Sequence, residues 1–121
     1  LKFTHEIPAT LTIHSVSDKQ IRIGDDVFDC PVALTADAVV DHWPGKGVAE
    51  LLEADFSRLM DYGTEVIILG TGATSVFPPR ELVFAMARRG VGFEFMDTRA
   101  AARTFNVLAG EGRQVAAVLY L

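Results

Sequence analysis

The sequence predicts an α/β fold: a β-sheet with helices packed on it, preceded by an antiparallel meander or hairpin of strands. Three observations carry this. The first third of the chain alternates apolar and polar residues in the two-residue period of half-buried strands. From Val48 the pattern becomes helical segments alternating with strands, which implies a sheet covered by helices. Finally, the run EVIILG is apolar without a break, as a strand covered on both faces must be.

The elements follow in order. LTIHSV alternates as a strand, QIRI and DVFDCPVALT continue the pattern, and Ser17-Asp18-Lys19 and Gly24-Asp25-Asp26 supply the turns between them. AVVDHW predicts another short strand, and Pro44-Gly45-Lys46-Gly47 predicts a loop. In ADFSRLMDYG, Phe56, Leu59 and Met60 stand at i, i+3 and i+4, giving a helix with one apolar face that stops at Gly63. After EVIILG, Pro78 and Pro79 fall in a first helical turn that needs no N–H donors; Leu82, Val83 and Met86 make the buried stripe, and Gly90 ends it. VGFEFM is a strand, DTRAAARTFNVLAG a helix and RQVAAVLYL a final strand. Residues 1–121 are expected to form a single domain, with 1–43 mainly strands and 48–121 running αβαβαβ. Glu65 to Met96 is then a strand, crossover helix and strand, a unit that forms parallel, and the last strand is expected to be parallel as well.

Composition excludes several classes. Half of the residues are hydrophobic and 22% are charged, and no apolar run reaches the length of roughly 18 to 20 residues that a membrane helix needs. The net charge is −5, with −6 in residues 1–61 and +1 in residues 62–121, where every basic residue is arginine. An acidic total argues against nucleic-acid binding, which rests on neutralising phosphates. The lone Cys30 has no disulfide partner and no C-x-x-C neighbour, so a reducing cytoplasm is the expected compartment. The chain opens at Leu1 with no signal peptide visible in it.

The parallel unit places Gly70-Thr71-Gly72 and Asp97-Thr98 at the same edge of the sheet, beyond the carboxyl ends of the strands, where α/β sheets hold ligands. Gly70, Thr71 and Gly72 offer close backbone approach, as phosphate loops do. The Lys-Ser/Thr of a P-loop and the third glycine of a dinucleotide fold are both missing, and a simple turn explains the stretch as well. Asp97 and Thr98 are N-cap candidates for the following helix. On that helix Arg99, Arg103 and Asn106 recur at i, i+4 and i+7, one polar face that fits either solvent or an anionic partner. Glu111 and Arg113 flank Gly112 at the turn into the last strand, where an exposed ion pair adds only about 0 to 1 kcal/mol. Catalytic sets are missing: His5, His14 and His42 have no metal-ligand spacing, Cys30 precedes Pro31 without an adjacent histidine, and Ser75 has no nucleophile elbow. No cofactor or metal is expected. Trp43 suits either a core plug or an interface anchor.

The block FEFMDTRAAARTFNVLAGEGRQVAAVLYL, preceded by VIILGTG and FPPREL, resembles a family of small conserved domains. That family includes the mitochondrial respiratory complex I assembly factor 3, the human adipogenesis-associated domain protein and many uncharacterised bacterial and archaeal proteins. The likeness runs from about Ile13 to Leu119 and is sharpest at Gly70-Thr71-Gly72, Met96-Asp97-Thr98, Ala101, Thr104, Asn106, Leu108, Glu111 and Arg113; Phe105 stands where an aromatic residue is usual. The resemblance implies a three-layer domain with a mixed central sheet to which the last strand is added antiparallel. It implies no established activity or cofactor; the family's eukaryotic member acts by binding other assembly proteins in the mitochondrion.

The expectation is therefore a non-enzymatic domain that binds a protein partner, as an assembly or quality-control factor for a membrane protein complex. Its expected contact residues are Gly70, Thr71, Gly72, Asp97, Thr98, Arg103, Asn106, Glu111 and Arg113. The alternative is a small-ligand-binding or enzymatic domain that uses the crevice near Gly70 and Asp97. A deep polar pocket walled by Thr71, Asp97, Arg103 and Asn106 favours the ligand, and a flat apolar patch favours the partner.

Overall fold

In the computed structural model, which describes residues 11–40, 43 and 45–121, the alternation of the first third resolves into five strands. β1 (Ile13–Val16), β2 (Ile21–Ile23) and β3 (Asp26–Phe28) form an antiparallel meander of three strands, in which Ile13, Ile21 and Ile23 are buried and Arg22 points out. DVFDCPVALT does not run on as one strand. It divides at Asp29-Cys30-Pro31, where proline lacks the N–H that a ladder needs, and Cys30 stands exposed at the break. β4 (Val32–Thr35) then crosses into a second sheet and pairs antiparallel with β5 (Val39–Val40). His5, His42 and Pro44 lie outside the described residues.

The helical period after Val48 yields less helix than it promises. Val48–Glu50 and Glu53–Phe56 are 3-10 turns, and only Ser57–Met60 (α1) is α-helical. Acidic side chains explain the breaks: Glu50 Oε1 accepts from the Gly47 N–H at 3.2 Å and Asp55 Oδ2 from the Leu52 N–H at 2.9 Å, so each turn closes on itself. Phe56 and Leu59 are nonetheless buried as their spacing predicts.

The remaining elements are β6 (Val66–Thr71), α2 (Arg80–Arg88), β7 (Gly92–Met96), α3 (Thr98–Gly110) and β8 (Val115–Tyr120). α2 starts one residue after Pro79, which caps it, so both prolines precede the helix that they were expected to begin. Its buried residues are Leu82, Ala85 and Met86, with Val83 only partly covered. The second sheet has five strands in the order β5-β4-β8-β6-β7. β6 and β7 are parallel, as the crossover requires. β8 enters between β6 and β4, parallel to the first and antiparallel to the second, so the sheet is mixed; each of the two expectations for this strand describes one of its sides.

A central strand must be apolar on both faces, and all six residues of β8 are buried. Val115, Ala117 and Leu119 join Ile68, Ala101, Phe105 and the isoleucines of the meander on one face. Ala116, Val118 and Tyr120 join Ile67, Leu69, Phe56, Leu59, Leu82 and Met86 on the other. The layers are α3 with the meander, the five-stranded sheet, and the 3-10 turns with α1 and α2.

Candidate functional site

The three parallel strands β6, β7 and β8 bring Thr71, Met96 and Tyr120 to one edge, with the start of α3 above it. Thr98 ties that edge together. Its hydroxyl donates to Tyr120 O at 2.6 Å and accepts from the Gly72 N–H at 2.8 Å, while its own N–H donates to Gly72 O at 2.8 Å. Thr71 is equally committed: Oγ1 donates to Thr74 O at 2.6 Å, with Met96 O a second acceptor at 3.2 Å, and accepts from the Val76 N–H at 3.0 Å. Asp97 caps α3 by accepting from the Ala100 N–H at 2.9 Å.

The two glycines have different reasons. A Cβ on Gly70 would stand 2.9 Å from Thr98 Oγ1, 3.0 Å from Thr98 Cα and 3.1 Å from Ala101 Cβ, so Gly70 is what lets α3 lie against β6. Gly72 has a φ of +105°, where a side chain is strained.

Asn106 faces β1. Its Oδ1 accepts from the Ile13 N–H and its Nδ2 donates to Ile13 O, both at 2.9 Å. Arg103 is exposed on the same side of α3. Glu111 and Arg113 lie beyond the other end of α3, about 20 Å from its start, so they do not share a site with Asp97. Arg113 Nε pairs with Glu65 at 3.5 Å, and Glu111 is exposed at the C-cap.

The space left at this edge is small. The strand-end cavity, about 130 Å3, is lined by Ser17, Gly72, Thr98, Arg99, Tyr120 and Leu121 among others. Arg103 and Asn106 line a separate shallow groove of about 270 Å3 against β1. Small-molecule sites run to roughly 300–1,000 Å3. Tyr120 turns its hydroxyl to the opposite face, where it accepts from Trp43 Nε1 at 3.0 Å and donates to Lys46 O at 2.9 Å. Burial pushes this phenol above its ordinary value, the hydrogen bond from Trp43 opposes that, and the charges of Asp55 and Glu50 add to it. Trp43 also packs edge-on against Phe56 at 5.0 Å, so it plugs the core. No group of three or more His, Cys, Asp or Glu residues suited to a metal ion occurs among the described residues.

A larger and more apolar feature lies beside β7. Phe77, Pro78, Val83, Phe84 and Phe95, with Arg80, line a groove of about 450 Å3. Phe77 is 82% exposed and Phe84 55% exposed. The Phe77 ring leans on Phe95 at 5.0 Å between centroids. Burying one such side chain contributes about 1.5–3 kcal/mol, so leaving two in water beside each other is a cost that an interface would recover. The sequence carried one signal for this: Phe84 stands about 200° round α2 from Leu82, off the buried stripe.

These features define a class: a three-layer α/β domain whose strand-end edge is occupied by its own hydrogen bonds and whose open surface is an aromatic groove. The chain belongs to the family described as protein of unknown function (DUF498/DUF598), which it matches over residues 13–120. It is 32% identical over 118 residues, 95% of this chain, to the Rattus norvegicus protein named NADH dehydrogenase (ubiquinone) 1 alpha subcomplex assembly factor 3, and spans 63% of that protein's length. It is 25% identical over 100 residues to the 13 kDa major membrane protein of Francisella tularensis subsp. holarctica, covering 82% of this chain and 80% of that one. Among solved structures, an NMR structure of a Xanthomonas campestris protein superposes with a TM-score of 0.84 at 32% identity, covering 99% of this chain and 92% of that one.

Proposed function

We propose that this domain works by binding another protein and not by catalysis, as an assembly or quality-control factor for a membrane protein complex. The observation that carries this is the groove of Phe77, Phe84 and Phe95, with two aromatic rings left largely in water. The assembly-factor name of several relatives supports the same direction. The alternative, a ligand or catalytic crevice at Gly70 and Asp97, is disfavoured by a cavity of about 130 Å3 and by hydroxyls already engaged with the main chain. Proton transfer would fall to threonines and to arginine, which stays protonated.

Within this reading, Gly70, Thr71, Gly72, Asp97, Thr98 and Asn106 serve recognition by fixing the strand ends and α3. Arg103, Glu111 and Arg113 offer exposed charges to the partner. No helix among the described residues is long and apolar enough to cross a membrane. The exposed thiol of Cys30 suits a reducing compartment, and we take the cytoplasm as the place of action.

Capture from an extract of the source organism tests the proposal. Wild-type protein should retain a definite protein that the Phe77→Ser/Phe84→Ser double variant loses, with both baits equally folded. Equal retention by the two baits overturns the assignment of the groove.

A further inference from the structure

Beside the aromatic groove, the main-chain edge of β7 that faces away from β6 has no strand paired to it among the described residues. β7 is the outer strand of the five-stranded sheet. The Gly92 N–H donates to Glu65 O at 2.8 Å on the β6 side. Successive residues of a strand direct their main-chain groups to opposite sides, so the N–H and C=O groups of Phe93 and Phe95 face outward. Edge strands are commonly blocked by proline, lysine or a bulge. GFEFM has no proline or lysine, and its register with β6 runs from Gly92 to Met96 without a break.

The side chains beside this edge alternate in character. Phe93 and Phe95 pack on the α2 face, and Phe95 forms the wall of the groove with Phe77 and Phe84. Glu94, exposed between them, points to the α3 face and is the only charge on the strand.

We propose that β7 accepts an extended segment of a partner protein as an added strand of the sheet. Apolar side chains of the segment at i and i+2 enter the groove of Phe77, Phe84 and Phe95, and a lysine or arginine between them meets Glu94. This rests on the reading of the domain as a protein-binding one and specifies the chemistry of the partner. Main-chain hydrogen bonds to Phe93 and Phe95 supply affinity, and the alternating side chains supply selectivity. The charge decides between occupants. In the register that pairs the whole of β7 with a second copy, Glu94 would stand opposite its own counterpart, and like charges opposed across strands are unfavourable. A basic residue at that position turns the same contact into an attraction.

The test uses twelve-residue peptides displayed on phage, selected on the full chain, and the enriched peptide synthesised as the probe. Enriched sequences should carry the apolar, basic, apolar alternation. Amide hydrogen exchange at Phe93 and Phe95 should slow on binding, and Glu94→Lys should weaken the peptide about tenfold, since it replaces an attraction by a repulsion. A peptide that needs Phe77 but leaves the Phe93 and Phe95 amides unprotected overturns strand addition while the protein-binding reading survives. Failure to enrich any peptide over the Phe77→Ser/Phe84→Ser variant overturns both. Phe93 and Phe95 amides already protected in the free protein also overturn the proposal: protection that persists on dilution means that the chain covers its own edge, and protection that dilution removes means that a second copy does.

Discussion

The side-chain amide of Asn106 holds both main-chain groups of Ile13, at 2.9 Å each, across 93 residues of sequence. It fastens α3 to the first strand of the small meander, where Ile13 is buried. Asn106→Ala removes both part-buried bonds to the Ile13 main chain and should destabilise by about 1 to 2 kcal/mol. Arg103→Ala, three residues earlier and exposed, should leave the thermal midpoint within a few degrees. Thermal denaturation of the two variants checks both; equal midpoints would mean that the Asn106 bonds form with water instead.

Gly70 and Gly72 should both resist alanine, for separate reasons. At Gly70 the new Cβ collides with the Thr98 hydroxyl and crowds Thr98 Cα and Ala101 Cβ, and the cost should be about 1–3 kcal/mol through displacement of the helix. At Gly72 the cost is backbone strain of about 1 kcal/mol or more. Urea titration of the two single variants reads both losses, and a Gly70→Ala variant as stable as the wild type would mean that α3 shifts away from β6 at no cost.

Thr71 is buried, at 8% exposure, and holds three main-chain groups with one hydroxyl. Thr71→Val keeps its shape and removes those bonds, so it should destabilise by about 1–3 kcal/mol and loosen residues 72–76. Hydrogen exchange at the Val76 amide reads this directly: protection as strong as in the wild type would contradict it.

Tyr120 gives the fold an alkaline limit. The phenol is neutral when protonated, and burial raises its folded pKa above the ordinary 10.0, with the Trp43 bond opposing and Asp55 and Glu50 adding. The stability that this confers is complete below pH 10.0 and is lost as pH rises through the folded value. Tyr120→Phe should lose about 1 kcal/mol at neutral pH, from the bonds to Trp43 and Lys46. It should also show a flatter stability profile above pH 10.0 than the wild type. Parallel profiles would mean that another group sets the alkaline limit.

The meander and the second sheet share the cluster of Ile13, Ile21, Leu34, Ile68 and Phe105, so they should unfold together. A calorimetric scan is expected to give one transition whose calorimetric and van't Hoff enthalpies agree, and two separate transitions would contradict this.

Local pattern made much of this legible in the sequence. The unbroken apolar run of β6, the cap at Asp97 and the glycine after α2 are decided by neighbours a few residues away. The pairing of Val32 with Leu119 is not, because β4 and β8 meet across the length of the chain and nothing local selects the partner. The shortness of α1 was hidden because acidic side chains that close 3-10 turns look, in sequence, like an ordinary solvated helix face. At the candidate site, Gly70, Thr98 and Asn106 are marked by their position in the sequence pattern, but only the fold decides what each contacts. Phe77 carries no comparable signal in the sequence, since exposure of an aromatic residue is a property of the packing around it.

The claim that the Phe77 and Phe84 groove is the working surface is tested most directly by placing a photoreactive benzoylphenylalanine at position 77, and separately at 84, in cells of the source organism. Val27, apolar and 54% exposed on the meander, serves as the control position. A definite crosslinked adduct with one protein from 77 and 84, absent from 27, is the result expected. No adduct from 77 or 84, or the same adduct from all three positions, would contradict the account.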